Sequence, residues 1–172
     1  MTIKKNKIVI FTDLDGSILH RDTFKFDQIK DYIKKLINSG IHIIPNSSKT
    51  ESEIIEFNQD LGENLAYISE NGSVINNLNL LNSNFPNKII LSREKEELVE
   101  IFKNNVPENL QSKCKFISNL NKKDQINIFG LSETKLKNAL NRKYTEPFLF
   151  EGSKNEKKDL TKILKKNSLT IQ

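Results

Sequence analysis

In the stretch "FTDLDGSIL", residues 11–19, Asp13 and Asp15 stand one residue apart with Gly16 directly after them. At the end of an extended segment, residues i and i+2 share a face, so both carboxylates can point at one ligand. With a backbone carbonyl and waters they form the all-oxygen set that suits Mg²⁺. Beside such a cation Asp13 stays ionised and nucleophilic toward a phosphate dianion. Asp15 is then placed to act first as general acid and then as general base. Asp and Gly are also ordinary turn formers, and the pair by itself reads most simply as a turn.

Two further polar clusters shift that balance. Asn46, Ser47, Ser48 and Lys49 follow the apolar run "IHIIP", and Glu70, Asn71 and Gly72 follow "YIS". Ligands of open α/β sheets bind outside the carboxyl ends of the strands. Three polar clusters at three such ends carry more weight than any one of them. "NSSK" reads as a helix start, with Ser48 and Glu51 spaced as a capping box. A helix N-terminus with free N–H groups, a hydroxyl and a lysine is also a phosphate site. "ENG" is most simply a turn, though its backbone N–H groups could also face a ligand. His20 and His42 are the only histidines, which leaves little for a His-based metal cage or a catalytic triad. Ser132 and Glu133 read better as a helix start than as catalysts. No Gly-rich phosphate loop is present.

The elements that must position these residues follow from hydrophobic spacing. Ile8 to Phe11 is a continuous apolar run, the pattern of a strand buried on both faces. Phe26, Ile29, Ile33, Leu36 and Ile37 recur at helical spacing, and Gly40 is placed as a stop. Strand 41–45, a helix with Ile54, Ile55 and Leu61 on its apolar face and Gly62 at its end, and strand 67–69 complete a β-α-β-α-β order. That order predicts a parallel sheet with right-handed crossovers. The Asn-rich stretch "NNLNLLNSNFPNK" reads as a hairpin and linker. After it come strand "KIILS", a helix over about 93–105, strand "CKFIS", a helix from about 132, strand "PFLFE", a helix from about 155 and strand "SLTIQ". The expected fold class is α/β: a Rossmann-like parallel-sheet core in residues 1–82, only its first strands present, followed by an α+β module in residues 83–172.

Composition narrows the function. The net charge of +5 is carried almost wholly by Lys, with Arg21, Arg93 and Arg142 the only arginines. Base and phosphate recognition favours arginine forks, so no nucleic-acid partner is expected. The apolar lead after "MTIKKNK" is too short for a signal peptide, and no stretch approaches a membrane span. The single cysteine, Cys114, permits no internal disulfide, which fits a reducing cytoplasm.

At "FTDLDGSIL", "PNSSKTESEI", "ISENGSVI" and "NRKYTEPF" the sequence resembles the capped sugar-phosphatase branch of the haloacid dehalogenase-like superfamily, from about Ile8 to the chain end. The resemblance implies a Mg²⁺-dependent two-step phosphoryl transfer, with Asp13 and Asp15 as metal ligands. Asp13 is the implied nucleophile, Asp15 the acid and base, and Ser47 a hydrogen-bond donor to the phosphoryl group. It implies a substrate-binding role for Ser48, Lys49, Glu70, Asn71 and Gly72, and for Arg142, Tyr144 and Glu146 of the cap, which would read a glycerate carboxylate or a sugar. The implied substrate is a phosphorylated sugar-glycerate, mannosyl-3-phosphoglycerate or its glucosyl counterpart. Another sugar phosphate, such as sucrose phosphate, and a non-catalytic phosphosugar- or partner-binding remnant are the competing readings. Ser17, Lys143 and Thr145 depart mildly from the family pattern. The family's later lysine and a further metal carboxylate in a Gly-Asp pair have no counterpart, because "SLTIQ" corresponds to a late cap strand. The expectation is therefore a C-terminally incomplete chain, weakly active or inactive alone, with an open sheet edge that invites self-association.

Overall fold

In a computed structural model describing residues 8–171, the apolar spacings produce alternating strands and helices. The basic lead "MTIKKNK", read above for a signal peptide, lies outside the described residues, as does Gln172. Two compact units divide between Ser92 and Arg93.

In the first unit, β1 (Val9–Thr12) pairs in parallel with β2 (His42–Pro45), from Val9 opposite His42 to Thr12 opposite Pro45. Helix α1 (Asp27–Asn38) connects them and stops at Gly40, whose φ of 84° suits glycine. Helix α2 (Glu51–Leu61) leads from β2 to β3 (Tyr67–Ser69) and ends on Gly62 in the left-handed conformation. A parallel bridge between Asn46 and Ile68 sets β3 beside β2. The core between helices and sheet is built from Leu14, Ile33, Ile43, Ile54, Phe57, Leu61 and Tyr67, all buried. Strands β4 (Val74–Asn76) and β5 (Lys88–Ile90) extend from β3 in antiparallel pairing.

The Asn-rich stretch connects an antiparallel pair, β4 and β5, as expected of a hairpin, and a second, tighter hairpin joins β3 to β4 around "ENGS". Two expectations are corrected here. "KII" belongs to this unit's sheet, because β5 pairs with β4. The run 8–11 is not buried on both faces: Ile8 is 54% and Phe11 61% exposed, with Val9 and Ile10 also exposed. Among the described residues β1 pairs only with β2, so nothing covers its far side.

The second unit contains α3 (Lys95–Asn105), a short α4 (Glu108–Gln111), β6 (Cys114–Phe116), α5 (Lys122–Phe129), α6 (Glu133–Leu140), β7 (Phe148–Phe150) and α7 (Lys154–Lys166). β6 and β7 are antiparallel. Phe102, Val106 and Leu110 meet Leu160 and Leu164 in its core. Phe116 stands edge-on to both Phe102 and Phe148. "SLTIQ" is not a strand in its described part. Ser168 takes a φ of 59°, and the Leu169 N–H donates back to the Leu164 carbonyl at 2.9 Å. Leu169 and Ile171 thus fold onto the core below α7.

Helix α7 begins with a complete capping box between Ser153 and Glu156. Lys113 donates to the same carboxylate and, with Ser153, holds its pKa at about 2, against an ordinary 4.5. A depressed carboxyl pKa stabilises the fold fully above about pH 4.5, and that contribution is lost as pH falls toward 2. Urea titrations across this window should show a falling midpoint for the wild type and a flatter dependence for Glu156→Gln.

Candidate active site

The parallel register makes β1 and β2 end level. The Asn46 N–H donates to the Thr12 carbonyl at 2.8 Å and the Ser47 N–H to the Ile68 carbonyl at 3.1 Å. The polar segments after the three strands therefore start side by side.

Leu14 shapes the acidic loop. Its side chain is fully buried, while its neighbours Asp13 and Asp15 are exposed. Its carbonyl accepts the N–H groups of Ser17, Ile18 and Leu19 at 3.2, 3.1 and 2.8 Å, and the Gly16 N–H donates to the Leu19 carbonyl at 2.9 Å with a φ of 75°. The chain reverses tightly around this anchor and leaves both carboxylates outward. Asp13 Oδ1 accepts the Leu14 N–H at 2.7 Å, which fixes the carboxylate.

Ser47 is buried, and its Oγ accepts a long 3.4 Å bond from the Lys49 N–H. Ser48 is exposed. The Lys49 side chain is only 11% exposed, and its Nζ lies 3.0 Å from Asp15 Oδ1. Glu53 Oε1 is 3.5 Å from the same ammonium, and the Phe24 ring centroid is 5.2 Å away. Sequence reasoning missed Glu53 and Phe24.

It also misplaced the helix cap. The capping box is Thr50 with Glu53, not Ser48 with Glu51: Thr50 Oγ1 accepts the Glu53 N–H at 3.2 Å, and Glu53 Oε2 accepts the Thr50 N–H at 2.9 Å. The helix starts two residues later than expected, so Ser47, Ser48 and Lys49 precede it as loop.

Glu70, Asn71 and Gly72 have successive φ values of 48°, 60° and 89°. The left-handed conformation costs a non-glycine residue about 1–3 kcal/mol unless its surroundings impose it. Here they do. The Glu70 N–H donates to the Lys49 carbonyl at 2.9 Å and the Asn71 N–H to the Ser47 carbonyl at 3.1 Å. These two N–H groups tie the loops together, and the segment is the turn between β3 and β4, the simpler of the two readings of "ENG". The Glu70 side chain is buried and Asn71 is exposed.

Asp13, Asp15, Ser47–Lys49 and Glu70–Gly72 thus share one end of the first unit. Arg142, Tyr144 and Glu146 lie in the second unit, within one segment after α6. Arg142 Nη1 donates to Thr145 Oγ1 at 2.9 Å, and Tyr144 is buried. The Glu146 side chain is 8% exposed, with Lys95 Nζ at 3.9 Å from Oε2. Glu146 Oε1 is buried with no hydrogen-bond partner among the described residues.

Among the described residues no three His, Cys, Asp or Glu side chains gather as a metal cluster. Two exposed carboxylates nonetheless match the hard oxygen donors of Mg²⁺, which binds through one or two carboxylates and completes its shell with water and phosphate. No helix among the described residues is long and apolar enough to cross a membrane.

The first unit is thus a parallel β-α-β-α-β layer with an acidic loop after its first strand. The sequence pattern of the haloacid dehalogenase-like hydrolases matches residues 10–171, and the chain belongs to that family. It is 27% identical over 174 residues to the glucosyl-3-phosphoglycerate/mannosyl-3-phosphoglycerate phosphatase of Persephonella marina, covering 95% of this chain and 62% of that protein. A protein of the same name from Methanococcoides burtonii is 36% identical over 69 residues, 40% of this chain and 25% of that one. A solved structure from Thermoplasma acidophilum shares the fold with a TM-score of 0.58 at 13% identity, over 96% of this chain and 60% of that one. The chain thus spans about three fifths of the length of the Persephonella relative.

Proposed function

We propose that this chain carries the reacting groups of a Mg²⁺-dependent phosphatase acting on a glycosyl-3-phosphoglycerate. The observation that carries the reading is the loop anchored by Leu14, which turns Asp13 and Asp15 outward, with Asp15 paired to the Lys49 ammonium. The substrate class is taken from the names of the two phosphatase relatives and from Arg142 and Glu146. An arginine fork suits a glycerate carboxylate, and the orphaned Glu146 Oε1 suits a sugar hydroxyl.

Asp13 attacks phosphorus as the bond to the sugar-glycerate oxygen breaks, and Asp15 delivers a proton to that leaving oxygen. Asp15 then takes a proton from water, which attacks the aspartyl-phosphate, releases inorganic phosphate and restores Asp13. The Ser47 hydroxyl donates to a phosphoryl oxygen, and Lys49 offsets its negative charge. Asp13 and Asp15 would hold Mg²⁺, which supplies neutralisation of the transferring phosphoryl charge.

Phosphate release should be measured from mannosyl-3-phosphoglycerate, glucosyl-3-phosphoglycerate and sucrose phosphate, each with Mg²⁺ and with EDTA. The expected result is slow but EDTA-sensitive release from the two glycerate substrates. Release from sucrose phosphate alone would replace the substrate class, and undiminished release in EDTA would exclude the metal.

A further inference from the structure

We infer that Glu53 is a positioning residue that holds the Lys49 ammonium against Asp15. The inference rests on the phosphatase reading for its catalytic consequence, though not for its geometry. A lysine side chain is long and flexible, and immobilising it costs side-chain entropy. Three groups confine this one: Asp15 at 3.0 Å, Glu53 at 3.5 Å and the Phe24 ring at 5.2 Å. Phe24 itself sits at a φ of 56°, where a bulky residue is uncommon.

The two oxygens of Glu53 divide the work. Oε2 accepts the Thr50 N–H at 2.9 Å, within the capping box that starts α2. Oε1 faces Lys49 Nζ. Because the first contact fixes the carboxylate plane, the second is aimed, and the ammonium is set by the start of the helix. Ile54, the next residue, is fully buried and locks that turn into the core. The Lys49 contact is the longer of the two, so Lys49 can lean toward an incoming phosphate dianion without disturbing the cap.

The geometry allows the two roles to be separated. In Glu53→Gln the amide oxygen can still accept the Thr50 N–H, and the amide NH₂ then faces Lys49, donor against donor. Thr50→Ala has the opposite effect: it removes the hydroxyl acceptor and leaves Glu53 and its contact with Lys49. Limited acetylation of the folded chain, mapped by mass spectrometry, reads the position of Lys49 without any need for activity. Lys88, paired with Glu51 at 3.1 Å, serves as an internal control.

Glu53→Gln is expected to raise Lys49 labelling roughly threefold or more while Lys88 is unchanged. It should lower kcat about tenfold with little change in KM, and add no further loss in a Lys49→Met background. Thr50→Ala should lower Tm and leave Lys49 labelling as in the wild type. If Glu53→Gln fails to fold by circular dichroism, Glu53→Asp substitutes: its shorter arm cannot reach both partners, and Lys49 labelling should rise likewise. Unchanged Lys49 labelling in the folded variant overturns the inference, as does an equal kcat loss with and without Lys49. Absence of phosphate release from the wild type would count against the phosphatase reading alone, since labelling still decides the role of Glu53.

Discussion

Asp13→Asn is expected to reduce phosphate release by roughly 10⁴-fold or more while leaving the fold intact. An amide oxygen does not displace an alkoxide from phosphorus, so the covalent route closes. The loop survives because its shape does not depend on the charge. The Asp13 oxygen that accepts the Leu14 N–H at 2.7 Å has an equivalent in the asparagine carbonyl. Asp13 is exposed, and its replacement should change stability by no more than about 0.5 kcal/mol. Progress curves for phosphate, with Tm measured in parallel, check both halves. Activity within a few fold of wild type would remove Asp13 from the chemistry.

The largest stability effect is expected one residue further on. Leu14→Ala should cost about 2–5 kcal/mol, the range for deleting a fully buried leucine side chain. For a unit of this size that corresponds to a fall in Tm on the order of 10 °C or more. Leu14 has no exposed surface, and it packs in the cluster that includes Ile33, Ile54 and Leu61. Its carbonyl is also the acceptor around which the acidic loop closes. Activity should fall with stability, since the same anchor turns both carboxylates outward. Val9→Ala, on the exposed face of β1, is the matched control and should shift Tm by little. A Leu14 variant as stable as that control would contradict the role of the anchor.

The placement of the site was legible because it depends on local signals. Apolar runs followed by polar clusters mark strand ends, and Gly40 and Gly62 mark helix stops, so three clusters on one rim could be read residue by residue. The helix start was less legible. "SSKTESE" contains two overlapping Ser/Thr-x-x-Glu spacings, and a local rule cannot choose between them. The choice is made by packing: burial of Ile54, Phe57 and Leu61 sets the helix phase, and Thr50 and Glu53 are the pair that fits it. That shift is why Lys49 precedes the helix and why Glu53 escaped notice.

Other misses share a dependence on distant partners. A continuous apolar run such as 8–11 says that a strand suits burial, not that anything lies beside it, and the exposure of β1 is decided elsewhere. Helix α5 gives little periodic signal: its sequence "KKDQINIF" is strongly polar, and its buried residue is Gln125, whose Nε2 donates to the Ile117 carbonyl at 2.9 Å. "SLTIQ" alternates like a strand, yet its apolar residues follow the end of α7 into the core. Glu146 is singled out through the resemblance alone; its burial, and a carboxylate oxygen lacking a partner among the described residues, show only in the structure.

The central claim, that Asp13 is the phosphoryl acceptor, is tested most directly by trapping. The wild-type chain is mixed with Mg²⁺ and mannosyl-3-phosphoglycerate, quenched in acid within the first turnover and measured by intact mass and peptide mapping. The expected result is a mass increase of one phosphoryl group on the peptide containing Asp13, absent in Asp13→Asn. Phosphate release with no labelled species, or a phosphoryl group mapped to any other residue, would contradict it.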